Sequence, residues 1–127
     1  SSEIARGLDI FELTPSGFIS QNEIDAAKLV HLDYFNTQGQ PKLVWPASFA
    51  VPRAYLDQRE RSKGLSSGEV SAARTQLARA EQQSGQARRE VLSQLATRLN
   101  SDSKGAPDQA KVQALAAAVA DLSNAAP

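Results

Sequence analysis

Glu12-Leu-Thr-Pro-Ser-Gly-Phe-Ile-Ser-Gln-Asn-Glu23 is the stretch on which the reading of this chain turns. Oxygen-bearing side chains stand at its positions 1, 3, 5, 9 and 12, namely Glu12, Thr14, Ser16, Ser20 and Glu23. Gly17 offers a sharp bend at position 6, Phe18 a backbone carbonyl at 7, and Ile19 an apolar side chain at 8. The same residues support a plainer reading. Ser20-Gln-Asn-Glu23 is a capping box, in which the serine hydroxyl accepts from the Glu23 amide and the glutamate accepts from the Ser20 amide. Pro15-Ser16-Gly17 ahead of it is turn chemistry. On either reading a helix follows Ser20.

The flanks extend the first reading. Ile4, Leu8 and Phe11 would form an apolar stripe on a helix before the loop, and Ile24, Ala27, Leu29, Leu32 and Phe35 on one after it. A second loop-like segment, Asn36-Thr-Gln-Gly-Gln-Pro-Lys-Leu43, begins 24 residues after Glu12. Over residues 2–50 the chain resembles a bacterial paired EF-hand protein, in which one helix serves two closely spaced loops. Against that pattern Leu43 takes position 8, and Asn36, Gln38 and Gln40 stand where carboxylates are usual. Pro41 replaces the glycine and Ala47 the terminal glutamate.

The resemblance implies a helix–loop–helix pair. It also implies a calcium ligand set of Glu12, Thr14, Ser16, the Phe18 carbonyl, Ser20 and Glu23. Charge limits how far that goes, because calcium affinity follows the number of carboxylates and the rigidity of the cage. The first loop has two carboxylates and no aspartate; the second has none. The expectation is therefore a structural elbow without a cofactor. Weak Ca²⁺ binding at loop 12–23 is the alternative.

Composition sets further bounds. Of 127 residues, 41% are hydrophobic but only 6% aromatic, so a modest core built from Ala and Leu seams is expected. Net charge is zero, yet residues 1–50 carry −3 and residues 51–100 carry +4. The basic middle is Arg interleaved with Glu and Gln, the pattern of a solvated helix face. It lacks the concentrated basic stripe with stacking aromatics that nucleic-acid binding needs. Cysteine is absent, which excludes disulfides and thiolate metal sites. No apolar run reaches the ~18–20 residues of a membrane helix. A Ser-Ser start without methionine predicts a processed or trimmed chain. With the Ala/Gln/Ser-rich composition, this points to a periplasmic or extracellular location.

Beyond the loops the chain reads as helical. Residues 37–52 are punctuated by Gly39, Pro41, Pro46 and Pro52, and their apolar members Leu43, Val44, Trp45, Phe49 and Val51 are expected to lie buried across the helices around the first loop. A helix opening near Pro52 should end at Gly64. Ser66-Ser-Gly-Glu69 is a second capping box. From it a long helix carries Val70, Ala73, Leu77, Ala80, Ser84, Ala87 and Val91 at alternating three- and four-residue steps. Leu92, Leu95 and Leu99 continue the stripe displaced by one position, and Ser84-Gly85 is the place for a bend. After a polar linker over residues 100–107, Asp108 favours the start of a helix with the stripe Val112, Leu115, Val119 and Leu122. The fold class expected is all-α. An EF-hand-like helix–loop–helix pair over residues 1–50 precedes a long helix and a shorter C-terminal helix, forming an antiparallel hairpin over residues 51–127.

No nucleophile–base–orienter set, phosphate-cradling loop or zinc pattern is present, and His31 is a lone histidine on a helix. The leading expectation is a non-enzymatic module that binds a protein partner, with Trp45 and Phe49 as candidate contacts. Self-association through the residue 70–99 helix is a variant of it. A small hydrolase or inhibitor built on Asp9, Glu12 and Glu23 is the remaining alternative.

Overall fold

A computed structural model describes residues 2–3, 7–8, 10–34, 36, 38–39 and 43–125. The fold is helical apart from a two-residue antiparallel pairing at the start, β1 (Ser2–Glu3) with β2 (Gly7–Leu8), where Ser2 faces Leu8 and Glu3 faces Gly7. Among the described residues five helices follow: α1 (Gln21–Lys28), α2 (Ala50–Arg61), α3 (Ser67–Glu81), α4 (Gly85–Asp102) and α5 (Gln109–Ala125). A 3₁₀ turn, Ser103–Gly105, joins the last two.

Both capping boxes form as the sequence predicts. The Ser20 hydroxyl accepts from the Glu23 amide at 3.2 Å and the Glu23 carboxylate accepts from the Ser20 amide at 2.7 Å. Ser66 and Glu69 repeat the exchange at the start of α3. Each box satisfies two of the amides that a helix start leaves unpaired.

Among the described residues the helix expected before the loop is not formed. Leu8 belongs to the strand pairing, Phe11 is 79% exposed in a stretch without helix, and Ile4 lies outside the described residues. Three apolar positions alone did not outweigh Gly7, Thr14 and Pro15 around them, residues of low helix propensity. The helix after the loop is shorter than its apolar stripe implied. It closes at Lys28, where the Leu29 and Val30 amides turn back to the Ala26 and Ala27 carbonyls. Val30, His31, Asp33 and Tyr34 all rank low as helix formers, and Phe35 lies outside the described residues. Among the described residues the paired-loop arrangement thus reduces to a turn around Gly17 and one short helix. Gln40 and Pro41 of the second loop also fall outside the described residues.

The long helix expected from residue 66 onward is two helices. Gly85 takes φ +58°, a left-handed conformation that interrupts the hydrogen-bond ladder and is open to glycine without strain. The displaced stripe marks the same event. Val70, Ala73, Leu77 and Ala80 are buried, Ser84 and Ala87 are not, and burial resumes at Leu92, Leu95, Ala96 and Leu99. α4 and α5 pack against each other, and the Ser123 hydroxyl donates to the Arg89 carbonyl at 3.2 Å. The end of α5 therefore lies beside the start of α4, and the two run antiparallel.

The main core joins Leu56 of α2 and Leu65 to the inward faces of α3, α4 and α5. Leu56, Leu77, Leu92, Val112, Leu115 and Val119 are fully enclosed, each contributing about 1.5–3 kcal/mol of transfer free energy. A smaller cluster of Ala26, Val51 and Ala54 seats α1 on α2. Asn22 and Glu23, at the start of α1, bond to Asp57 and Arg61 near the end of α2, so this pair is antiparallel too.

The helix α2 ends just before Gly64, on a residue in the left-handed conformation. Lys63, not Gly64, has φ +54°. The Gly64 amide reaches the Arg59 carbonyl at 2.8 Å and the Lys63 amide reaches Glu60 at 3.1 Å, the paired bonds of a Schellman ending. At Gly64 an added Cβ would lie 3.3 Å from both Arg59 Cδ and Ser62 Oγ, so these side chains would have to shift by a few tenths of an ångström to admit one.

Candidate functional site

The structure separates the residues of loop 12–23. Glu12, Thr14, Ser16 and Phe18 are exposed, with Phe18 at 90%. A tight turn, in which the Ser16 amide reaches the Ile19 carbonyl at 2.9 Å and the Phe18 amide reaches Ser16 Oγ at 3.2 Å, holds the bend around Gly17. Ser20 is half-buried as the helix cap. Asp9 lies outside the described residues. Among the described residues no group of three or more His, Asp or Glu side chains is disposed to hold a metal ion.

Glu23 already has a cation. Arg61 donates to its two carboxylate oxygens at 2.7 and 3.0 Å, a bidentate pair, while Glu23 also accepts the Ser20 amide. The Arg61 guanidinium is the main cause that lowers the Glu23 carboxyl from 4.5 to about 2, against the opposing effect of burial. A metal ion at Glu23 would have to displace that guanidinium.

A second network begins beside it. Asn22 Nδ2 donates to Asp57 at 2.8 Å, and Arg74 of α3 bridges Asp57 and Glu60 of α2 at 2.7 Å each. Burial pushes the Asp57 carboxyl up, but hydrogen bonds from Ser20, Asn22 and Arg74 together outweigh it and hold the group below its usual range. These pairs tie α1, α2 and α3 into one charged seam. The sequence shows a run of Arg, Asp and Glu without revealing which are partners, because the pairings span up to 38 residues.

Phe49, a candidate contact residue, is half-buried at the start of α2 and packs on the main core. The Arg53 and Arg88 guanidiniums lie 5.9 and 5.8 Å from its ring centroid, within the range of cation–π attraction. Arg53 forms a bidentate pair with Glu81 at 2.6 and 3.3 Å. Arg88 donates to the Ala80, Gln83 and Glu81 carbonyls at 3.2, 2.7 and 3.3 Å. It thereby caps the end of α3 from the first turns of α4, a role the spacing of the sequence could not reveal. Arg59 is the buried cation of the molecule's other end: 3% exposed, it stands 3.5 Å from the Asp108 carboxylate, and its Nε has no hydrogen-bond partner among the described residues.

Trp45 occupies a different setting. It is 37% exposed and stands at the lip of an open groove of about 420 Å³ lined by Leu43, Val44, Val51, Tyr55 and the Ala114, Ala117, Ala118 face of α5. A second depression on its other flank is lined by Leu29, Val30 and Leu32. The expected burial of the connecting segment holds for Val51, against Ala26 and Ala54, and in part for Phe49, but not for Leu43 and Val44, which are 53% and 83% exposed. Two prolines, Pro46 and Pro52, and the early end of α1 leave nothing for these side chains to fold beneath. Other exposed apolar side chains stand on the segment before α1, with Ile10 at 86%, Phe11 at 79% and Leu13 at 59%. No helix among the described residues is long and apolar enough to cross a membrane. Comparison with protein-family models, curated proteins and solved structures finds no match to this chain.

Proposed function

We propose that this chain is a non-enzymatic, exported helical module that binds a protein partner through the apolar surface around Trp45. Support comes from one observation above the others: large apolar side chains at residues 10–18 and 43–45 remain exposed on a protein whose helices otherwise bury a complete core. Single exposed hydrophobic residues need no explanation, but Leu43, Val44 and Trp45 stand exposed side by side along a groove, the kind of apolar surface that protein contacts use. Aromatic anchors such as Trp45 concentrate binding energy at such surfaces. In the same reading, residues 12–28 act as an elbow, and Arg61 supplies the positive charge that an ion would supply in a calcium-binding loop.

A photo-crosslinking residue at Val44 tests the reading, with exposed Arg79 on α3 as the control. Irradiation in an extract of the source organism should give one adduct of defined mass from position 44 and none from position 79. Absence of an adduct at Val44, or equal labelling at both positions, refutes it.

A further inference from the structure

We infer that α1 is a detachable strap. It lifts from α2 as a unit while α2 to α5 stay folded, and its departure opens the Trp45 groove onto the face of α2 that α1 covers. This is independent of what the groove binds. Among the described residues α1 packs on one helix only, α2. It buries two side chains, Ile24 and Ala26, where each of the other helices buries four or five. Its apolar seam is Ala26 against Val51 and Ala54, with Leu29 partly buried beside them. The chain on either side adds little hold, since Ile10, Phe11 and Phe18 before α1 and Leu32, Tyr34 and Val44 after it are exposed. At eight residues α1 is also short of the about 12–15 that a helix needs to persist alone in water, so it loses its own structure when it leaves α2. Segments with few buried contacts open at a lower free energy than the whole molecule.

The polar ties of the seam part without leaving a buried charge alone. Arg61, which grips Glu23, is 39% exposed and returns to water. Asp57, which accepts from Asn22, keeps Arg74 at 2.7 Å. Parting α5 from α2 is different, because the buried Arg59 would lose Asp108. The place of the seam gives its opening a consequence. Glu23 and Ala26 of α1, Val51, Ala54 and Tyr55 of α2, and Trp45 line a small cavity. Trp45, Val51 and Tyr55 also line the groove beside α5. α1 is therefore a removable wall next to that groove, and lifting it leaves one longer apolar trough along α2.

The chain has no cysteine, so single cysteines report without background. Ala26→Cys and Ala54→Cys fall in the α1–α2 seam, whereas Ala73→Cys and Ala116→Cys fall in the main core. In native buffer a thiol-reactive probe should label positions 26 and 54 roughly a hundredfold faster than positions 73 and 116, at a rate that low urea barely changes. Adding Glu23→Gln should speed labelling at position 54 about tenfold and leave position 116 unchanged, which separates release of α1 from a general loss of stability. In the unsubstituted chain, hydrogen exchange should reach the α1 amides well before those of α4 and α5. Labelling at position 54 no faster than at position 116, equal acceleration of both by Glu23→Gln, or α1 amides as protected as those of α5 overturns the strap.

Discussion

Substituting Glu23 separates the two effects of its carboxylate. Glu23→Gln keeps an acceptor for the Ser20 amide, since glutamine also completes a capping box, but removes the charge that pairs with Arg61. The carboxyl sits at about 2 against an ordinary 4.5. A lowered acid contributes stability that is complete above pH 4.5 and disappears as the pH falls through about 2. Undiscounted, that shift corresponds to ~3 kcal/mol. Arg61 is 39% exposed, and solvent screening reduces the expectation to roughly 1–2 kcal/mol. Glu23→Ala loses the cap as well, adding about 1 kcal/mol. Urea unfolding followed by circular dichroism at several pH values measures both variants against the parent. At pH 7 the order should be parent, Gln, Ala, and the gap between parent and Gln should close between pH 4.5 and 2. Equal stability of parent and Glu23→Gln at pH 7, or a gap that persists at pH 2, would refute the assignment of the Glu23–Arg61 pair as the source.

Three other outcomes are expected. Millimolar Ca²⁺ should leave the thermal midpoint of the parent unchanged, because binding to the native state alone would raise it; a clear rise would show that an ion displaces Arg61. Lys63→Gly should stabilise by about 0.5–1 kcal/mol in urea melts, since a left-handed residue with a side chain costs about 1–2 kcal/mol, partly offset by the entropy of glycine. Gly85→Ala should destabilise by about 1–2 kcal/mol although an added Cβ meets no atom within 4 Å, because the strain is in φ rather than in packing.

The C-terminal half was largely legible in the residues. Apolar periodicity located the inward faces of α3, α4 and α5, and the one-position displacement of the stripe coincides with the break at Gly85. Capping boxes placed the starts of α1 and α3 because their chemistry is contained within four residues. The segment before α1 admits two readings in the residues, because oxygen donors at loop spacing also describe a turn followed by a capped helix, and the surroundings of Glu23 are not written in that stretch. Those surroundings are set by Arg61, 38 residues away. The groove was illegible for a related reason: proline-rich apolar stretches look like core until it is known whether any helix lies above them.

The order in which the helices pack has a consequence for how the molecule assembles. α1 with α2, α2 with α3, α3 with α4 and α4 with α5 are all neighbours in the chain, and among the described residues α2 against α5 is the single closure between distant helices. Loop-closure entropy is therefore low at every step but one, a topology associated with folding in microseconds to milliseconds. The Arg59 guanidinium, 3.5 Å from the Asp108 carboxylate and with its Nε unpartnered among the described residues, is buried at that closure, where it would lose its charge partner if α5 parted from α2.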